Sequence, residues 1–81
     1  MGRMSKPTKF KTLDVRPVIA RGAEPFSVIR DRVERLKTDE GLIVIAPFLP
    51  SPLIEKLGSE GFQSRVERGT ASWTVHFWRE D

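Results

Sequence analysis

Cysteine is absent from this sequence, and histidine occurs once, as His76. The first absence removes disulfides, thiolate nucleophiles, iron–sulfur ligation and cysteine zinc sites together. The second removes a histidine metal cluster, because a metal site ordinarily needs three or four protein ligands. No metal and no cofactor are therefore expected. Long apolar runs are also lacking: no stretch approaches the roughly 18 residues of a membrane span, and the first residues hold no apolar signal-peptide core. A cytoplasmic protein with no membrane contact is the expectation.

An excess of one charge is lacking in the body of the chain. The 81 residues carry 14 lysines and arginines against 11 carboxylates, a formal charge of +3. Arg3, Lys6, Lys9 and Lys11 supply the excess, since from Thr12 onward ten basic residues face eleven acidic ones. Residues 1–11 are accordingly read as a flexible basic tail and residues 12–81 as a single domain. A short charged terminus is more often solvated than a binding arm, so nucleic acid is an unlikely partner and association through the tail stands only as an alternative. A chain of this size buries about 60 to 65% of its unfolded surface, which limits the core.

What is present has a clear order. Leu13 and Val15 alternate with Asp14 and Arg16, predicting a strand over residues 10–15. A loop of small residues follows, and Pro25 suits the first position of a helix, where its missing N–H is not needed. Phe26, Ile29, Val33 and Leu36 draw one apolar stripe, so a helix is expected over residues 25–37. Arg30 with Glu34 and Asp31 with Arg35 make i,i+4 pairs on its solvent side. Residues 42–46 then run apolar without alternation, as a strand covered on both faces does. Ser51 as N-cap and Pro52 behind it open a short second helix with Leu53, Ile54 and Leu57 on one face. Alternation resumes at Phe62, Ser64 and Val66, Gly69 and Thr70 turn the chain, and the last strand covers residues 73–78. That strand sends Trp73, Val75 and Phe77 one way and Thr74, His76 and Trp78 the other.

The order βαβαββ gives an α+β fold, a two-layer sandwich. Right-handed crossovers make the first three strands parallel with both helices on one face, and the short last connection makes the fourth antiparallel. The third strand, charged on one side, suits an edge, while the fourth suits the interior, so the four-stranded mixed sheet has order 1-2-4-3. The expected core is Leu13, Val15, Phe26, Ile29, Val33, Leu36, Val44, Leu53, Leu57, Phe62, Val66, Trp73, Val75 and Phe77.

The strand Leu13-Asp14-Val15-Arg16, the helix opening Glu24-Pro25 and the closing Trp73-Thr74-Val75-His76-Phe77 resemble the TusA/SirA-like proteins, small βαβαββ sulfur-carrier domains. Within that superfamily the chain looks closest to an uncharacterised bacterial branch, a domain of unknown function sometimes fused to hemerythrin-like domains. The resemblance implies a Cys-Pro-x-Pro motif at the start of the first helix, where the helix N-terminus can stabilise a thiolate and its persulfide. Aligning its last proline with Pro25 puts Gly22 in the cysteine's place, so persulfide transfer through that residue is excluded. Relatives in the uncharacterised branch often carry a His-Asp pair before a Pro-x-Pro. Here Phe48 and Leu49 precede Pro50-Ser51-Pro52, and both polar groups have become apolar.

A binding surface rather than a reactive one is therefore expected, and no enzyme. Asp14, Arg16, Glu24 and His76 are the only candidates for acid–base work, with no diagnostic spacing among them. The leading reading is a module that binds a protein partner or a second copy, acting as a docking or scaffold domain. Its candidate interface is the sheet face away from the helices, with Phe10, Ile43, Ile45, His76 and Trp78. The alternative is a small anionic ligand held at the helix N-termini by Arg16, Arg21, Gly22 and Glu24, with Phe48 and Leu49 as an apolar wall.

Overall fold

Successive side chains of a strand point to opposite faces, so one buried residue fixes the orientation of its neighbours. The computed structural model describes residues 7–79. Four strands form one sheet: β1 (Lys9–Asp14), β2 (Glu40–Ala46), β3 (Phe62–Arg68) and β4 (Trp73–Arg79). The helical elements are α1 (Arg16–Ala20), α2 (Phe26–Glu34) and α3 (Ser51–Ser59). The sheet order is β1-β2-β4-β3, with β1 parallel to β2 and β4 antiparallel to both of its neighbours. This is the mixed sheet and strand order expected from the sequence.

Leu13, Leu42, Val44, Val75 and Phe77 point to the same face and meet Ile29 and Val33 of α2 and Leu53 and Leu57 of α3 in one buried cluster. Each such side chain contributes about 1.5–3 kcal/mol when fully buried. Both long helices thus cover one face of the sheet. The opposite face has no helix over it among the described residues.

Several local expectations differ from the structure. The loop after β1 contains α1, which begins on Arg16 with Val15 as N-cap and Pro17 in the first turn. It ends at Gly22, whose φ of 78° places it in the left-handed region. There the Gly22 N–H donates to the Ile19 carbonyl at 2.9 Å and the Ala23 N–H to the Val18 carbonyl at 3.1 Å. This pairing is a Schellman stop, which glycine adopts without steric penalty. Five residues are too few to show an apolar period, so α1 left no stripe to read.

α2 stops at Glu34, short of residue 37, and carbonyls at and just beyond its end find a distant partner. Arg79 at the end of β4 donates from Nη1 to the Leu36 carbonyl at 3.2 Å and from Nη2 to the Val33 carbonyl at 3.4 Å. The same guanidinium lies 5.0 Å from the centre of the Phe62 ring. The N-cap of α3 is Pro50, with Ser51 already inside the helix. Lys9–Lys11, placed by sequence in the tail, belongs to β1, and Thr8 before it donates its N–H to the Asp39 carbonyl at 3.1 Å; residues 1–6 of that tail lie outside the described residues.

The core also differs in detail. Phe26 and Val66 are each 42% exposed, although both were expected inside. Phe26 is the first residue of α2, and Val66 faces the helical side from an edge strand of which only Phe62 is buried. Trp73 is half-buried under the Arg68 guanidinium, 5.4 Å from its ring centre. Leu42 and Ala46 join the core instead, because they share the inward parity of Val44. Glu40, at the start of β2, is the buried charge: its carboxylate accepts the Lys37 N–H at 3.0 Å and lies 3.8 Å from the Lys11 ammonium.

Candidate functional site

Helix N-termini attract anions through unpaired N–H groups, so the edge where α2 and α3 begin is the first place to look for a ligand. The structure sets the protein's own carboxylates at the end of β1 and the start of α2, while α3 follows its N-cap Pro50 with no side-chain cap. Asp14 receives Arg16 through Nε at 2.9 Å, through Nη2 at 2.8 Å and through the backbone N–H at 3.0 Å. The Arg16 guanidinium, and then its backbone N–H, hold the Asp14 carboxyl below its ordinary range. Glu24 takes the N-terminus of α2: its carboxylate accepts the Phe26 N–H at 2.8 Å, the Ser27 N–H at 2.8 Å and the Ser27 hydroxyl at 2.9 Å. These bonds, led by the Ser27 N–H, keep Glu24 ionised below the usual carboxylate range.

Of the six residues expected at this edge, Arg21 is the one cation without an ion pair among the described residues. Gly22 serves as the helix stop, and Phe48 and Leu49 stand 48% and 38% exposed on the loop after β2. An added anion would meet two fixed carboxylates here. No group of three or more metal-ligating side chains forms among the described residues.

The helix-free face is organised differently. Pairing places Thr12, Ile43, His76 and Arg65 in one row across the sheet, and Asp14, Ile45, Thr74 and Glu67 in the next. Phe10 pairs with Gly41, whose missing side chain leaves room above β2. A Cβ on Gly41 would come within 2.5 Å of the Phe10 ring, so the ring lies directly across the glycine. It thereby spans a strand and meets the side chains of β4 edge-on: 5.4 Å and 81° to His76, 6.4 Å and 84° to Trp78. Such perpendicular pairs use the positive rim of one ring against the negative face of another.

The three rings and Arg65 line a cavity of about 250 Å³. Trp78 Nε1 and His76 Nδ1 are withdrawn from solvent with no hydrogen-bond partner among the described residues. Buried polar atoms nearly always have a partner, so two orphans on neighbouring side chains mark this face apart from the rest of the fold. Ile43 and Ile45, half-buried, complete an apolar centre with charged residues at its flanks.

Comparison with known proteins bears on the chain as a whole. Residues 12–79 match the family described as Uncharacterized conserved protein (DUF2249). The chain belongs to that family. No curated protein and no solved structure matches it. The DUF2249 match takes in Gly41, Arg65, His76 and Trp78 but begins two residues beyond Phe10.

Two parts of this DUF2249 domain escaped sequence reasoning. Arg65 and Gly41 belong to the aromatic face, and the signal for Arg65 was its outward parity opposite His76. The other is a groove of about 360 Å³ between α2 and α3, lined by Phe26, Pro52, Leu53 and Leu57 and flanked by Arg30 and Lys56. Arg30 is clamped there by Glu60, at 2.8 and 3.1 Å, which ties the two helices together.

Proposed function

We propose that this DUF2249 domain is a non-catalytic docking module that binds a protein partner through the helix-free face of its sheet. The observation that supports it is the Phe10, His76 and Trp78 cluster, left uncovered by the helices and holding two ring nitrogens without partners. An aromatic centre with a polar rim is the anatomy of protein interfaces, in which charged side chains are displaced to the margin. Arg65, Glu67 and Asp14 occupy that margin here.

The strand order and the placement of both long helices favour a TusA/SirA-like ancestry in which sulfur transfer has been lost. Gly22 has no side chain, and its positive φ suits glycine, so a cysteine there would be strained. The anion reading is weaker on this geometry, because Glu24 already takes the N–H groups at the start of α2 and Asp14 already pairs with Arg16. Of the tail's four cations, Lys9 and Lys11 belong to β1, and Arg3 and Lys6 lie outside the described residues.

A photoreactive side chain at Ile43 tests the docking role, with the same group at Glu55 on α3 as control. In cells that make the protein, the Ile43 position should give a discrete heavier adduct that Trp78→Ser abolishes. An adduct of twice the chain mass identifies a second copy as the partner. Equal yields from the two positions, or an adduct indifferent to Trp78→Ser, would remove the basis for docking through this face.

A further inference from the structure

Two of the three polar side chains around the aromatic cavity can only donate, the Arg65 guanidinium and the Trp78 indole N–H, while His76 Nδ1 donates in one imidazole tautomer and accepts in the other. No carboxylate or carbonyl-bearing side chain lines the cavity. Arg65 is held loosely, with Glu67 at 3.7 Å and both side chains more than half exposed. Trp78 Nε1 and His76 Nδ1 have no partner at all among the described residues. The unmet demand of this cavity is for an acceptor, and one with negative charge, since hydrogen bonds to an ionised acceptor are about twice as strong as neutral ones.

Resting on the docking role proposed above, we infer that this cavity receives a glutamate or aspartate side chain of the partner polypeptide, flanked by an apolar residue. The carboxylate takes bonds from Arg65 and the Trp78 indole, and its apolar neighbour lies along Ile43 and the Phe10 ring. Entry involves a shift of Phe10. Its ring belongs to an edge strand, is 36% exposed, and crosses β2 above a residue with no side chain. In the closed form the Trp78 indole N–H goes unsatisfied, a penalty that an incoming acceptor relieves at that atom.

The indole N–H signals of ¹⁵N-labelled protein read this directly, because the chain has two tryptophans and Trp73 serves as an internal control. The probes are N-acetyl-Leu-Glu-Leu-amide and its Gln analogue, equal in shape and different in charge. The Glu peptide should move the Trp78 signal saturably and leave Trp73 in place, with the Gln peptide binding about tenfold more weakly or less. Arg65→Gln, a change on an exposed edge position, should erase that selectivity. The same response to both peptides, or selectivity that survives Arg65→Gln, overturns the inference. If Ile43 still crosslinks a partner in that case, the docking role stands and the acidic side chain alone is refuted. If crosslinking fails while the peptides discriminate, the acidic-group site stands without the docking role.

Discussion

At Gly41 a methyl group would lie 2.5 Å from the Phe10 ring and 2.8 Å from the Phe77 carbonyl oxygen. The ring can swing away, but the carbonyl is part of the β4 backbone and cannot. Gly41→Ala should therefore expel Phe10 and strain the pairing of β2 with β4, lowering stability by about 1–3 kcal/mol in urea unfolding. Trp78 emission should shift to the red as its ring gains water, whereas Phe10→Ala should give the red shift with a smaller stability loss. Gly22 answers to a different constraint, its φ of 78°, with open space where a side chain would go. Gly22→Ala is expected to cost about 1–2 kcal/mol from backbone strain alone. A Gly22→Cys variant should carry a similar penalty, and the wild type should gain no stable label when incubated with a cysteine desulfurase and labelled cysteine. Bound label on the wild type would contradict the reading of a carrier that has lost its sulfur chemistry.

The elements were legible where their period is long enough to sample. α2 and α3 show apolar stripes, and the strands show parity, so right-handed crossovers left few ways to arrange them. The sheet order 1-2-4-3 came from comparing the faces of two strands, β3 with charge and β4 with three large inward residues. What sequence could not show depends on contacts between distant elements. α1 is too short for a period, Phe26 sits where its helix starts, and Val66 points inward from an edge strand that is buried only at Phe62. Nor could it reveal that Arg79 closes α2 from a strand more than forty residues later. Arg79→Ala leaves the Val33 and Leu36 carbonyls without their side-chain donor, and should destabilise the fold by about 1 kcal/mol. Hydrogen exchange should speed up in the last turn of α2 and in β4 beside Phe62, with α3 unchanged. Uniform acceleration across both helices would mean that Arg79 acts on global stability rather than on the helix end.

Four carboxylates have partners in the folded protein that favour their ionised form, and this contributes to its response to acid. Asp14, Glu24, Glu40 and Glu60 all titrate below their ordinary values of 3.8 and 4.5 in the folded protein. Arg16 is the main cause for Asp14, the Ser27 N–H for Glu24, the Lys37 N–H for Glu40 and the Arg30 guanidinium for Glu60. A depressed value means that the unfolded chain binds the proton first as pH falls, so stability from these groups is complete above the ordinary value and lost on descending through the folded one. Two of them join distant parts of the chain: Glu60 clamps α3 to α2 through Arg30, and Glu40 holds the entry to β2 between Lys37 and Lys11. The melting temperature should therefore stay level from about pH 7 to about pH 5 and fall below about pH 4.5. Protonation also raises the net positive charge, and general repulsion alone would give a decline of the same sign. The double variant Glu40→Gln with Glu60→Gln separates the two causes, because it carries more positive charge at neutral pH yet has nothing left to lose at these sites. Its melting temperature should start lower and fall less between about pH 5 and about pH 3 than that of the wild type. Parallel curves for the two proteins would assign the acid response to overall charge, and the clamps at Glu40 and Glu60 would then carry no special weight in the fold.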